Sequence, residues 1–118
     1  MGYYTSFTVE IGNPLNIPQE KYDNDFKIIN KFFLGFMYPN NDNSWSENLK
    51  WYNWQEEMAA LTLQFPDYDF YIEGTGEEND DMWHAVVWRG HVYRKYAEII
   101  YPELPKPWEE TNENCSNN

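Results

Sequence analysis

The sequence predicts an α+β fold: a two-layer sandwich in which an antiparallel sheet of about four strands carries two helices on one face. Three observations predict it. Several segments alternate apolar and polar residues with period two, the pattern of strands that bury one side. Two others repeat large apolar residues every three or four positions, the pattern of amphipathic helices. The order is strand, helix, possible short strand, helix, then three strands, which suits helices gathered on one face of an antiparallel sheet.

The first strand spans residues 3–11, with Tyr3, Thr5, Phe7, Val9 and Ile11 on one side and Tyr4, Ser6, Thr8 and Glu10 on the other. Gly12-Asn13-Pro14 ends it. Pro18 stands at the first turn of a helix, where its missing N–H costs nothing. Tyr22, Phe26, Ile29, Phe33 and Phe36 then mark an aromatic inner face, with Lys21, Lys27 and Lys31 on the wet side and Pro39 as the stop. Residues 40–48 read as a polar turn, and residues 49–52 as a possible short strand. Asn53 with Glu56 has capping-box spacing in an Asn variant. Trp54, Met58, Leu61 and Phe65 place the second helix over residues 54–64, before Pro66.

Residues 68–73 alternate again, with Phe70 and Ile72 on one face and Asp69, Tyr71 and Glu73 on the other; residues 74–81 read as a loop. A hairpin about Arg89-Gly90 follows, in a register that pairs Trp88 with His91 and His84 with Lys95. Trp83, Ala85, Val87, Val92 and Tyr96 are assigned to the core, despite Arg94 among them. His84, Val86, Trp88, His91, Tyr93 and Lys95 face the other way. Those outward aromatics are either a contact patch or covered by the C-terminal segment around Trp108, the second being preferred. Residues 98–104 read as a strand continuation or a short turn. One domain is expected over residues 1–104, with a frayed polar tail over 105–118.

The chain has 118 residues, one domain's worth, and its Tyr 10, Phe 7 and Trp 6 argue against wholesale disorder. Asp+Glu number 20 against Lys+Arg 8, a formal charge of -12. That balance argues against direct binding of nucleic acid or an anionic membrane. Cys115 is the one cysteine, so no internal disulfide or multi-thiolate metal site can form. Gly2 and Ser6 formally fit a myristoylation pattern, but no polybasic patch supports it. The sequence shows no signal-peptide core and no 18-residue apolar run, so a soluble cytoplasmic protein is expected, in the host cytoplasm if phage-encoded.

The charge is lopsided. Residues 42–81 hold eleven acids, Asp42, Glu47, Glu56, Glu57, Asp67, Asp69, Glu73, Glu77, Glu78, Asp80 and Asp81, against Lys50 alone, for a net of -10. Two readings stand side by side: a solvated face kept for solubility, and an anionic surface that docks on a basic, nucleic-acid-binding site of another protein. Residues 77–81 lack EF-hand ligand spacing, and His84 and His91 lie about 13 Å apart along one face, too far to share an ion. No metal or cofactor is expected. No nucleophile elbow or zinc spacing appears, and Gly74-x-Gly76 sits among acids that repel phosphate, so a non-enzymatic protein is expected.

Lys50-Trp51-Tyr52, Glu56-Glu57-Met58, Phe65-Pro66-Asp67, the run Glu73-Gly74-Thr75-Gly76-Glu77-Glu78 and Asp81-Met82-Trp83 together resemble a set of small phage and plasmid proteins. Their pattern is a KWY segment, a short acidic helix, a YPD-like stop, a GEGEE loop and a D-[IM]-W strand start. The chain also resembles the YubB-type ferredoxin-like domain. The match covers residues 49–93 and the Met1-Gly2-Tyr3-Tyr4-Thr5 start. It departs at Thr75, at Arg89-Gly90 in place of Asn-Gly, and in its long aromatic helix. The resemblance implies a phage or mobile-element origin and a ferredoxin-like sandwich; it implies no established activity.

The expectation is therefore a phage-type accessory protein that binds and inhibits a host protein with a basic surface, such as an anti-CRISPR that mimics nucleic acid. Its partner-binding residues would be Asp67, Asp69, Glu73, Glu77, Glu78, Asp80, Asp81, Trp88 and Tyr93. The alternatives are a small enzyme or nucleotide-handling protein on the same sheet, and a homodimeric structural protein with the outer hairpin face buried across a two-fold. The chain is expected as a monomer or homodimer.

Overall fold

The protein is described by a computed structural model, which covers residues 2–40 and 43–108. Strand β1 (Thr5–Gly12) buries Phe7, Val9 and Ile11 and turns Ser6, Thr8 and Glu10 to solvent. The Asn13 side chain shapes the turn after it, accepting the Ile17 N–H and donating to the Ile17 carbonyl. Helix α1 (Gln19–Leu34) starts directly after Pro18, whose carbonyl accepts the Tyr22 N–H. Ile29 and Phe33 are its buried residues. It ends at Gly35, not at Pro39, and the Phe36 and Met37 amides close it onto the Phe33 carbonyl.

Pro39 belongs instead to the short edge strand β2 (Tyr38–Pro39), which pairs with β3 (Ser44–Leu49). A proline fits there, since an edge strand has one side with no ladder bond to donate. Helix α2 (Trp54–Gln64), β4 (Asp69–Gly76), β5 (Met82–Trp88) and β6 (His91–Tyr96) complete the order. One six-stranded sheet results, in the order β2-β3-β1-β4-β5-β6, with every neighbouring pair antiparallel.

The α+β sandwich with both helices on one face is thus as expected, but the sheet has six strands rather than about four. Strands β2 and β3 supply the difference. The Ser, Asn and Glu content of β3 resembles a turn, yet Trp45 anchors it by stacking on Phe33 at 4.4 Å and donating its indole N–H to Asn30 at 2.8 Å. Of residues 49–52, only Leu49 lies in a strand. The capping box does not form: Asn53 makes no side-chain cap bond, and only its carbonyl receives the Glu57 N–H. Strand β4 runs on through Gly74-Thr75-Gly76 instead of giving way to a loop at Gly74. Gly74 pairs with Trp83, and a Cβ at Gly74 would fall inside the Trp83 indole.

The core lies between the sheet and the helices. Trp54 stacks on Trp83 at 4.6 Å, and Phe7 meets Trp51, Trp54 and Trp83 edge-on. The hairpin register is the expected one, with Trp88 opposite His91 and His84 opposite Lys95. Its turn has φ of 48° at Arg89 and 83° at Gly90, the two left-handed residues of a primed turn. Arg89 is held there from outside: its Nε donates to the Pro66 carbonyl at 2.9 Å, and the neighbouring Gly90 N–H donates to Thr62 Oγ1 at 2.8 Å.

Residues 97–108 do not cover the outer hairpin face. After Tyr96 the Ala97 N–H bonds to the Met82 carbonyl, and residues 97–108 are exposed throughout. Residues 98–104 are neither strand nor turn. Asp42, Cys115 and the tail expectation over 109–118 fall outside the described residues. Among the described residues, no helix is long and apolar enough to cross a membrane.

Candidate functional site: the acidic end and the open sheet face

The acids of the middle segment divide into three places. At one end of β4, Asp67 pairs with Lys21 at 3.3 Å and Asp69 lies half-buried over Gly12. At the other end, roughly 25 Å away at strand rise, the β4–β5 loop carries Glu77, Glu78, Asp80 and Asp81. Glu73 lies between, on the outer face. Trp88 and Tyr93 also face outward, Trp88 half-buried beneath the Arg89 guanidinium and Tyr93 exposed. The nine residues singled out from the sequence therefore do not form one patch.

The loop is tied to the start of β1. Tyr3 donates its hydroxyl proton to Asp81 at 2.6 Å and accepts the Glu78 N–H at 3.1 Å, while Glu77 accepts the Tyr4 N–H. The hydrogen bond to Asp81 pushes the Tyr3 phenol above its ordinary value. Asp81 and Glu77 are thus structural, and Glu78 and Asp80 are displayed. Trp54 stacked on Trp83, together with the Tyr3 N–H bonded to Tyr52 Oη at 2.8 Å, brings the first turn of α2 to the same end. Glu56 and Glu57 are exposed there. The nearby cations turn to aromatic rings: Lys50 lies over Tyr4, and Arg94 over Trp54, Trp83 and Tyr96. Neither forms an ion pair with the loop acids among the described residues.

The outer face holds a second cluster. Tyr71, two residues along β4 from Glu73, reaches its carboxylate at 3.0 Å and lies 3.2 Å from His84 Nδ1. Register sets the row Thr8, Glu73, His84, Lys95 across four strands. Burial, then the Glu73 hydrogen bond, push the Tyr71 phenol upward. A cleft of about 310 Å³ opens beside these groups, lined also by Met82 and Tyr96. The Tyr71 hydroxyl donates to Glu73, which leaves its oxygen able to accept from His84 Nδ1 in the tautomer that carries its proton there. His91 stands apart, beside Tyr93. Among the described residues, no group of three or more His, Cys, Asp or Glu side chains could hold a metal ion.

Sequence reasoning missed Tyr3 and Tyr71. Tyr3 lies just ahead of β1 and Tyr71 at an outward position of β4, and their partners come from 78 and 13 residues away. The sequence carries no signal for the first. For the second, alternation puts Tyr71 and Glu73 on one face of β4 and His84 on the outward face of β5, but the register that brings them together is set by the β4–β5 connection. Comparison of the chain with models of known protein families, with curated proteins and with solved structures found no match.

Proposed function

We propose that the chain is a non-enzymatic accessory protein of phage type that binds and inhibits a nucleic-acid-binding host protein, as an anti-CRISPR or other counter-defence inhibitor does. Glu56, Glu57, Glu78 and Asp80 would stand in for phosphates. The observation that carries the reading is this group of exposed carboxylates at one end of the sheet, with the neighbouring Lys50 and Arg94 engaged by aromatic rings instead. The Tyr3–Asp81 and Tyr4–Glu77 bonds fix the loop before any partner arrives, which lowers the ordering cost of binding. Asp67 and Asp69 sit at the far end and take no part. A phage origin follows from the resemblance to small phage and plasmid proteins. The order of the first four strands supports the ferredoxin-like reading: β1-α1-β2-β3-α2-β4 with neighbours β2-β3-β1-β4 is consistent with it, the β5–β6 hairpin being an addition.

Capture of tagged protein's partners from a bacterial lysate tests the reading. Nucleic-acid-binding proteins are expected, released by competing duplex DNA and by salt of about 0.5 M. The variant Glu57→Lys/Glu78→Lys/Asp80→Lys should capture none. Partners indifferent to salt, DNA and these substitutions overturn it. The Tyr71–Glu73–His84 cluster favours one alternative, a small enzyme on the same sheet. His84→Ala should leave capture intact under the first reading.

A further inference from the structure

We propose that residues 98–108 form an arm that docks on the outer sheet face of a second copy of this chain, so that two copies exchange arms. The inference is independent of the acidic-end reading. The arm carries Ile99, Ile100, Tyr101, Leu104 and Trp108, each between 64% and 84% exposed. Soluble proteins rarely display so many large apolar side chains in one short stretch. The outer face offers a matching surface: Met82, Val86 and Tyr93 are exposed there beside Tyr71, with no element laid over them.

The arm does not lie on its own sheet, as its exposed residues show. To lie back over that face, the chain would have to reverse directly after Ala97, which is bonded to the Met82 carbonyl at the sheet edge. Residues 97–101 offer no Gly, Asn, Asp or Pro for a turn. Ile99 and Ile100 are β-branched and favour extended backbone, and Pro102 holds Tyr101 extended as well. Pro105 and Pro107 stiffen the rest. An element that leaves its own body in this way can be exchanged between identical copies at low cost.

One charge pair fits a second copy: Lys95 lies on the outer face, opposite His84, and Glu98 is the arm's acid outside the Glu103–Lys106 pair at 3.5 Å. Ten large side chains from a reciprocal pair of arms, the aromatic ones at roughly 150–250 Å² apiece, approach the ~1,200–2,000 Å² of a stable interface.

Sedimentation velocity of the full chain over a concentration series tests this. The expected species is twice the 14.3 kDa chain mass, dissociating on dilution. Two variants alter only exposed side chains: Ile99→Asp/Ile100→Asp/Leu104→Asp in the arm and Val86→Asp/Tyr93→Asp on the face. Each alone should be monomeric with its thermal unfolding intact. Mixed at high concentration, they should form a heterodimer, because one keeps its arm and the other its face. A wild-type chain that stays monomeric overturns the proposal. So does a dimer that survives the arm substitutions, or a mixture that yields no heterodimer.

Discussion

At the scale of single residues, two positions show how contacts decide sequence. Gly74 lies in β4 because the Trp83 indole fills the space where a Cβ would go, and Trp54 stacked on the far side keeps that indole in place. Gly74→Ala should therefore destabilise the fold by about 1–3 kcal/mol, as overpacking does, read as a lower urea midpoint. An unchanged midpoint would mean the indole can move aside. Tyr68, buried, donates to Asp25 at 2.7 Å, and Lys21 reaches the same carboxylate oxygen at 2.7 Å. Burial alone would push the Asp25 carboxyl up. The bonds from Lys21 and Tyr68 outweigh it and hold the group below its ordinary value. A carboxyl depressed on folding adds stability above its unfolded pKa, near 4, and that stability is lost as pH falls through the folded value. Tyr68→Phe should thus cost about 1–3 kcal/mol at neutral pH, and the difference from wild type should shrink in acid. A gap that stays constant down to about pH 2 would disconnect Tyr68 from Asp25.

At the scale of elements, the β5–β6 turn depends on a helix it never pairs with. Thr62 in α2 donates to the Ala59 carbonyl and accepts the Gly90 N–H, so a helix side chain fixes a hairpin turn whose Arg89 is in the left-handed region. Thr62→Val keeps the shape and removes the acceptor. It should cost about 1–2 kcal/mol and raise amide exchange at Gly90 and His91 while leaving β4 protected. The turn itself was legible, because Arg89-Gly90 separates two alternating runs and pairing must start at Trp88 and His91. Both helices were legible for the same reason: their period is written in large apolar residues such as Phe26, Ile29 and Phe33. Strand β3 was not. Its inward positions are Trp45, Glu47 and Leu49, and one tryptophan among polar neighbours carries no period; it is a strand because β1 offers an unpaired edge and Asn30 an acceptor for the indole. The division of the acidic loop was hidden too, since Asp80 and Asp81 look alike until Tyr3 is brought to one of them.

At the scale of the whole molecule, the net charge of -12 works against compactness wherever like charges crowd, and the β4–β5 loop with the first turn of α2 is such a place. Its acids do two kinds of work that substitution can separate. Among the described residues, Glu78 and Asp80 are displayed without a side-chain partner, so Glu78→Lys/Asp80→Lys removes repulsion and breaks none of the described contacts. Stability should hold or rise by up to about 0.5 kcal/mol at low salt, with the gain fading near 0.5 M salt, roughly where screening reaches a few ångströms. Asp81→Asn keeps the shape but weakens the acceptor for the Tyr3 hydroxyl, which joins the loop to β1. It should lower stability by about 1 kcal/mol, and salt should change that loss little because the bond is short and half-buried. Thermal melts of both variants at low and high salt check the pair. Opposite signs at low salt mean that anchoring and display are separate tasks of one loop, with the displayed carboxylates free for a partner. Equal losses would mean that the whole loop is consumed in holding the fold.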